Sequence, residues 1–102
     1  MSNFIKAIPA SEIPANQGRV VDVQGTPVAV FNVNGQFCAI KNTCAHRGGP
    51  LGEGDLEGTI VTCPWHGWQF DVTTGVSPVN PAASVTKYSC KVEGADVFVD
   101  VG

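Results

Sequence analysis

Two short stretches, Cys44-Ala45-His46 and Cys63-Pro64-Trp65-His66, decide how this chain is read. Sixteen residues separate them, and each offers one thiol and one imidazole. Both histidines of the chain and two of its four cysteines fall here. A thiolate and an imidazole two or three residues apart converge on one small object if the backbone turns between them. Zinc accepts two Cys and two His, but its usual spacing keeps the cysteines in one pair and the histidines in another. Here each loop mixes the two ligand types, which makes a zinc-binding interaction module the rival reading and not the first.

If the bound object has two ends, each loop can give its sulfur to one metal and its imidazole to the other. That is the ligand set of a [2Fe–2S] centre in which two His replace two Cys on one iron. The surrounding residues extend the match. Cys44-Ala45-His46-Arg47-Gly48-Gly49-Pro50-Leu51-Gly52 and Cys63-Pro64-Trp65-His66-Gly67-Trp68-Gln69-Phe70-Asp71 resemble the two boxes of the Rieske ferredoxin family. The flanking strands and Pro78-Val79-Asn80-Pro81 are similar too, so the resemblance covers nearly the whole chain.

The resemblance implies one Rieske [2Fe–2S] cluster, with Cys44 and Cys63 on one iron and His46 and His66 on the other. It also implies a one-electron carrier, not an enzyme. A flavin-containing reductase would supply the electron, and a terminal oxygenase, by analogy an aromatic-ring-hydroxylating dioxygenase, would receive it. Both would dock transiently near His46 and His66. The small subunit of a nitrite-reductase-like system is the alternative. Oxygen chemistry on a substrate needs a further mononuclear iron site, and with both histidines assigned the chain has none left to build one.

The ligands set the electronics. Two ferric ions, two sulfides, two thiolates and two neutral imidazoles sum to a neutral oxidised cluster, which accepts an electron more readily than a four-thiolate one. Such centres span roughly −150 to +300 mV, against about −400 mV for plant-type ferredoxins. High-potential members of the family carry an extra disulfide beneath the cluster and hydroxyl donors to its sulfurs. The matching positions here are Gly49 and Trp65, and Trp68 and Phe70, which implies a potential near the negative end.

Composition narrows the setting. The chain has 102 residues, a single domain's worth, and no apolar run of membrane-spanning length. Its first residues lack an apolar signal core, so a soluble cytoplasmic protein is expected. A net charge of −3 argues against nucleic-acid binding. Glu53, Asp55 and Glu57, between the boxes, put acid near the cluster rim or simply on a solvated surface; Arg47 is either a partner contact or a surface charge. Cys38 and Cys90 sit in strand-like apolar runs and read as buried thiols. Trp65 and Trp68 are expected to wall the site against water, with an electron path through either indole as the alternative.

Strands are expected from Phe4 to Ile8, Arg19 to Val23, Pro27 to Val33 and Gln36 to Lys41, with Ser11 able to cap a turn between the first two. Asn34-Gly35 is the strongest hairpin signal. Thr59 to Thr62 and Trp68 to Asp71 read as a hairpin carrying the second box at its tip, and Thr86 to Val92 with Val97 to Val101 as the last. In the family the loop at Pro78 and Pro81 covers the cluster. The fold expected is all-β, the Rieske fold: an antiparallel β-sandwich or small-barrel base with an inserted cluster-binding lobe at about 43–70, in one domain spanning 1–102.

Overall fold

The computed structural model describes residues 4–43, 49–65, 67–80 and 82–101. Strand β1 (Ile5–Pro9) leads through a 3₁₀ turn, Ala10–Glu12, into β2 (Gln17–Val23). Ser11 does not cap this turn. It begins one residue earlier, straight out of β1, with Pro9 at the N-cap and no side-chain cap bond. The Ala10 amide donates instead to the Ala95 carbonyl at 2.9 Å.

β2, β3 (Thr26–Val33) and β4 (Gln36–Lys41) form an antiparallel meander, with Val21 opposite Val28 and Phe31 opposite Cys38. Both connecting turns have left-handed residues at their two central positions: Gln24 and Gly25 (φ 51° and 83°), Asn34 and Gly35 (52° and 96°). That backbone twist matches the twist of the strands it joins. Asp22 Oδ1 and Asn32 Oδ1 accept the Gly25 and Gly35 amides, each at 2.7 Å.

The chain then leaves this sheet for a second, three-stranded one: β5 (Asp55–Glu57), β6 (Ile60–Thr62) and β7 (Gln69–Asp71), antiparallel in that order. The β6–β7 hairpin is as the sequence suggests. β5 is an addition, because Asp55-Leu56-Glu57 offers one apolar residue and reads as a connector. β8 (Lys87–Glu93) and β9 (Asp96–Asp100) return to the first sheet, whose order is β1-β9-β8-β4-β3-β2. Its outer strands, β1 and β2, approach one another, so the sheet curls towards a closed barrel. The described residues contain no α-helix, and no helix long and apolar enough to cross a membrane.

β3 shows why these runs are apolar on both sides. Val28 to Asn32 are all buried. Successive side chains of a strand point to opposite faces. Val28 and Val30 therefore pack with Ile13, Val23, Ala39, Val97 and Val99. Ala29 and Phe31 face the other way, into a core with Ile40, Leu51, Val61, Cys63, Phe70 and Val72. The second core joins the curled sheet to the three-stranded lobe. Phe31 is its largest contribution from the base. Phe31→Ala should cost about 3–5 kcal/mol, the usual range for a buried Phe, read as a lowered denaturant midpoint.

Candidate metal centre

Each loop of the site is closed at its base by hydrogen bonds. For the first, buried Asn42 is the anchor: its amide donates to the Pro27 carbonyl at 3.1 Å, tying it to β3. Its backbone carbonyl accepts from Leu51 N and its Oδ1 from Gly52 N, both at 2.8 Å. Thr43 and Pro50 form an antiparallel bridge above it. The bridge holds together the two ends of the segment between them. Cys44, His46 and Arg47 belong to it and lie outside the described residues.

The second loop is the tip of the β6–β7 hairpin. The Cys63 amide donates to the Trp68 carbonyl at 2.6 Å, and Gly67 takes a left-handed turn (φ 73°) that favours glycine. Cys63 is 1% exposed and belongs to the core shared with Leu51, Val61 and Phe70. His66 lies outside the described residues. Trp65 is half exposed, while Trp68 packs against the core.

The two loops meet at Gly49. A Cβ on this buried residue would lie 2.7 Å from Cys63 Sγ and 3.0 Å from Trp65 Cγ. Glycine is therefore what lets the first loop lie directly on the sulfur of the second. Of the four expected ligands the structure places Cys63, against the base of the other loop. A thiol buried in an apolar core, approached by bare backbone, suits a soft metal held away from water. With a second thiol and two imidazoles in the same two loops, the donor set fits an iron–sulfur cluster.

A third segment packs alongside. Val76 bridges to Ser84, and the Ser77 amide donates to the Ala83 carbonyl at 3.0 Å. Buried Ser77 Oγ accepts from Val79 N at 3.3 Å and Asn80 N at 3.2 Å, fixing the bend ahead of residue 81. Sequence reasoning passed over this serine, although Ser-Pro three residues ahead of an Asn is a usable turn signal. A cleft of about 280 Å³, lined by Gly67, Trp68, Gln69, Ser77, Val79 and Asn80, separates the segment from the second loop. Of the acidic residues between the boxes, Asp55 lies opposite Thr62, next to Cys63, while Glu57 lies opposite Ile60 at the far end of β6. Glu53, Asp55 and Glu57 are all exposed.

Comparison with known proteins gives the same picture. The family model described as Rieske [2Fe–2S] domain matches residues 3–89. The 3-phenylpropionate/cinnamic acid dioxygenase ferredoxin subunit of Escherichia coli (strain K12) is 38% identical, over 97% of this chain and 94% of that protein. Among solved structures, a complex of reduced oxygenase and oxidised ferredoxin in carbazole 1,9a-dioxygenase includes a chain with a TM-score of 0.87 and 32% identity, matched over 98% of this chain and 94% of its own length. The Sphingomonas yanoikuyae B1 ferredoxin has a TM-score of 0.88 at 27% identity, covering 98% of this chain and all of its own.

Cys38 and Cys90 stand apart from the two loops. Both are partly buried, form no disulfide and line one cleft with Phe37, Thr73, Lys87 and Tyr88. Burial pushes both thiols up, with Lys87 opposing the shift; Cys90 rises to about 11 from an ordinary value of 9.0. Below pH 9 Cys90 is protonated in both folded and unfolded chains. As pH rises from about 9 to about 11 the unfolded chain gives up this proton first, so stability falls across that window. Denaturant midpoints taken from pH 8 to 11 should therefore drop less steeply in Cys90→Ser than in the native chain.

Proposed function

The chain belongs to the Rieske [2Fe–2S] domain family, and on that premise we propose that it is a one-electron carrier, the ferredoxin component of an aromatic-ring-hydroxylating dioxygenase system. In this reading it turns over no substrate. It takes electrons from a flavin-containing reductase and passes them to a terminal oxygenase, in the cytoplasm. Residues 1–102 act as one Rieske domain with its cluster lobe at about 43–70.

The observation that carries the reading is the buried Cys63 sulfur lying on the first loop at Gly49. Cys44 and Cys63 would hold one iron as thiolates, and His46 and His66 the other as neutral imidazoles. When bound, the cluster accepts and returns a single electron. The chain supplies the setting for that exchange. Leu51, Val61 and Phe70 keep water from the thiolate side, and the hydrogen bonds of Asn42 and Cys63 fix both loop bases. A rigid, dry surround keeps reorganisation on electron transfer small. The partners dock at the imidazole end, near His46 and His66, through small and weak contacts that allow quick release.

The family resemblance together with Phe70 points to a low potential. Phe70 is fully buried and has no hydroxyl to donate to a sulfur. A redox titration near neutral pH should give a midpoint towards the negative end of the roughly −150 to +300 mV range; a clearly positive value contradicts this. Cys63→Ser replaces a soft anionic ligand with a hard neutral one. It should yield colourless protein without acid-labile sulfide. Normal colour, sulfide and spectrum in that variant would remove Cys63 from the ligand set.

A further inference from the structure

We propose that Trp65 and Gly49 form a paired cover over the Cys63 sulfur, excluding water from the thiolate side of the cluster, and that this cover holds the potential low and slows loss of metal. The inference rests on the reading of Cys63 as a ligand.

A sulfur at the tip of a three-residue-strand hairpin would ordinarily be wet. Cys63 is not: it is 1% exposed, although its neighbour Pro64 is exposed and Trp65 is 50% exposed. The apolar core covers the sulfur from below. Among the described residues of the first loop, it is Gly49 that covers the sulfur, its missing side chain leaving room for Cys63 Sγ and the Trp65 stem. The three atoms that a Cβ there would meet first are Cys63 Sγ at 2.7 Å, Trp65 Cγ at 3.0 Å and Trp65 Cβ at 3.1 Å. Trp65 therefore buries its stem and one part of its ring edge against the first loop while its outer part faces solvent.

The arrangement works only as a pair. Any side chain at position 49 would collide with the sulfur or push the Trp65 stem away, since contacts under 3.0 Å are not tolerated. Conversely, a small residue at position 65 would remove the indole carbon that closes the gap between Gly49 and the sulfur, opening a path for water to it. Water matters here for two separate reasons. It stabilises the more negative, reduced form, so admitting it raises the potential. It also brings protons and chelators to a thiolate, which weakens metal binding.

The test uses the iron- and sulfide-loaded protein and reads two quantities that do not depend on any partner: the midpoint potential by redox titration, and the rate at which the visible absorbance bleaches in excess chelator. Trp65→Ala should raise the midpoint and bleach on the order of tenfold faster, the scale typical of residues just outside a metal's ligands. Trp65→Phe keeps a ring on the same stem and should stay close to the native protein in both. Gly49→Ala should shift both in the direction of Trp65→Ala. If Trp65→Ala does not retain its cluster, Trp65→Leu replaces it and should fall between the native and Gly49→Ala values. Native values for both readouts in Trp65→Ala, or a Phe variant as impaired as the Ala variant, overturn the cover. Native protein lacking iron and sulfide overturns the ligand reading instead, so the two failures are distinguishable.

Discussion

The fold depends on a strand that has no outside. In most antiparallel sheets one face meets solvent, and the alternation of polar and apolar residues records it. β3 alternates between two cores, Val28 and Val30 in one, Ala29 and Phe31 in the other. A slip of one residue in its pairing would exchange the two sets and place Phe31 where Val30 fits. Register is therefore specified from both sides. Because the second core also contains Cys63, Leu51 and Phe70, the packing that fixes the base sheet also fixes the depth of the site sulfur. Close-packed interiors deform little, so the lobe inherits the stiffness of the base.

Much of this was legible in the residues. Asn34-Gly35 announces its turn because both residues tolerate the positive φ it requires, and the strand leading into it carries a β-branched run. The hairpin presenting Cys63 was legible from the β-branched run Thr59 to Thr62 and the alternating return Trp68 to Asp71. What escaped is structure that depends on distant parts of the chain. β5 has one half-buried leucine and two exposed acids, and it becomes a strand because β6 offers it an edge. Ser11 has the chemistry of a cap, but the turn starts at Ala10, whose amide is taken by Ala95 from the far end of the sequence. Cys38 and Cys90, expected as buried thiols, are only partly buried because their strands leave a cleft that both of them line.

The site divides in the same way. Cys63 could be singled out from spacing and neighbours, and the structure buries it in the core. That Gly49 touches its sulfur could not be seen, since fourteen positions separate the two residues in sequence and only the folded loops bring them together. The hydrogen bonds closing each loop belong to this class as well. Asn42 and Ser77, through side-chain oxygens that accept backbone amides, and Cys63, through its own amide, each pin one of three adjacent segments.

The lobe is inserted between β4 and β8, which then meet through Ala39 opposite Tyr88 and Ile40 opposite Lys87. Hairpins such as β2–β3–β4 and β6–β7 assemble from neighbours within about 1–10 μs. The seam between β4 and β8 joins strands separated by residues 42–86, and such long-range pairing forms more slowly than a hairpin. The β2–β3–β4 meander, by contrast, needs nothing from the lobe to complete its ladder, so the base divides into a part that forms locally and a part that waits on the chain between.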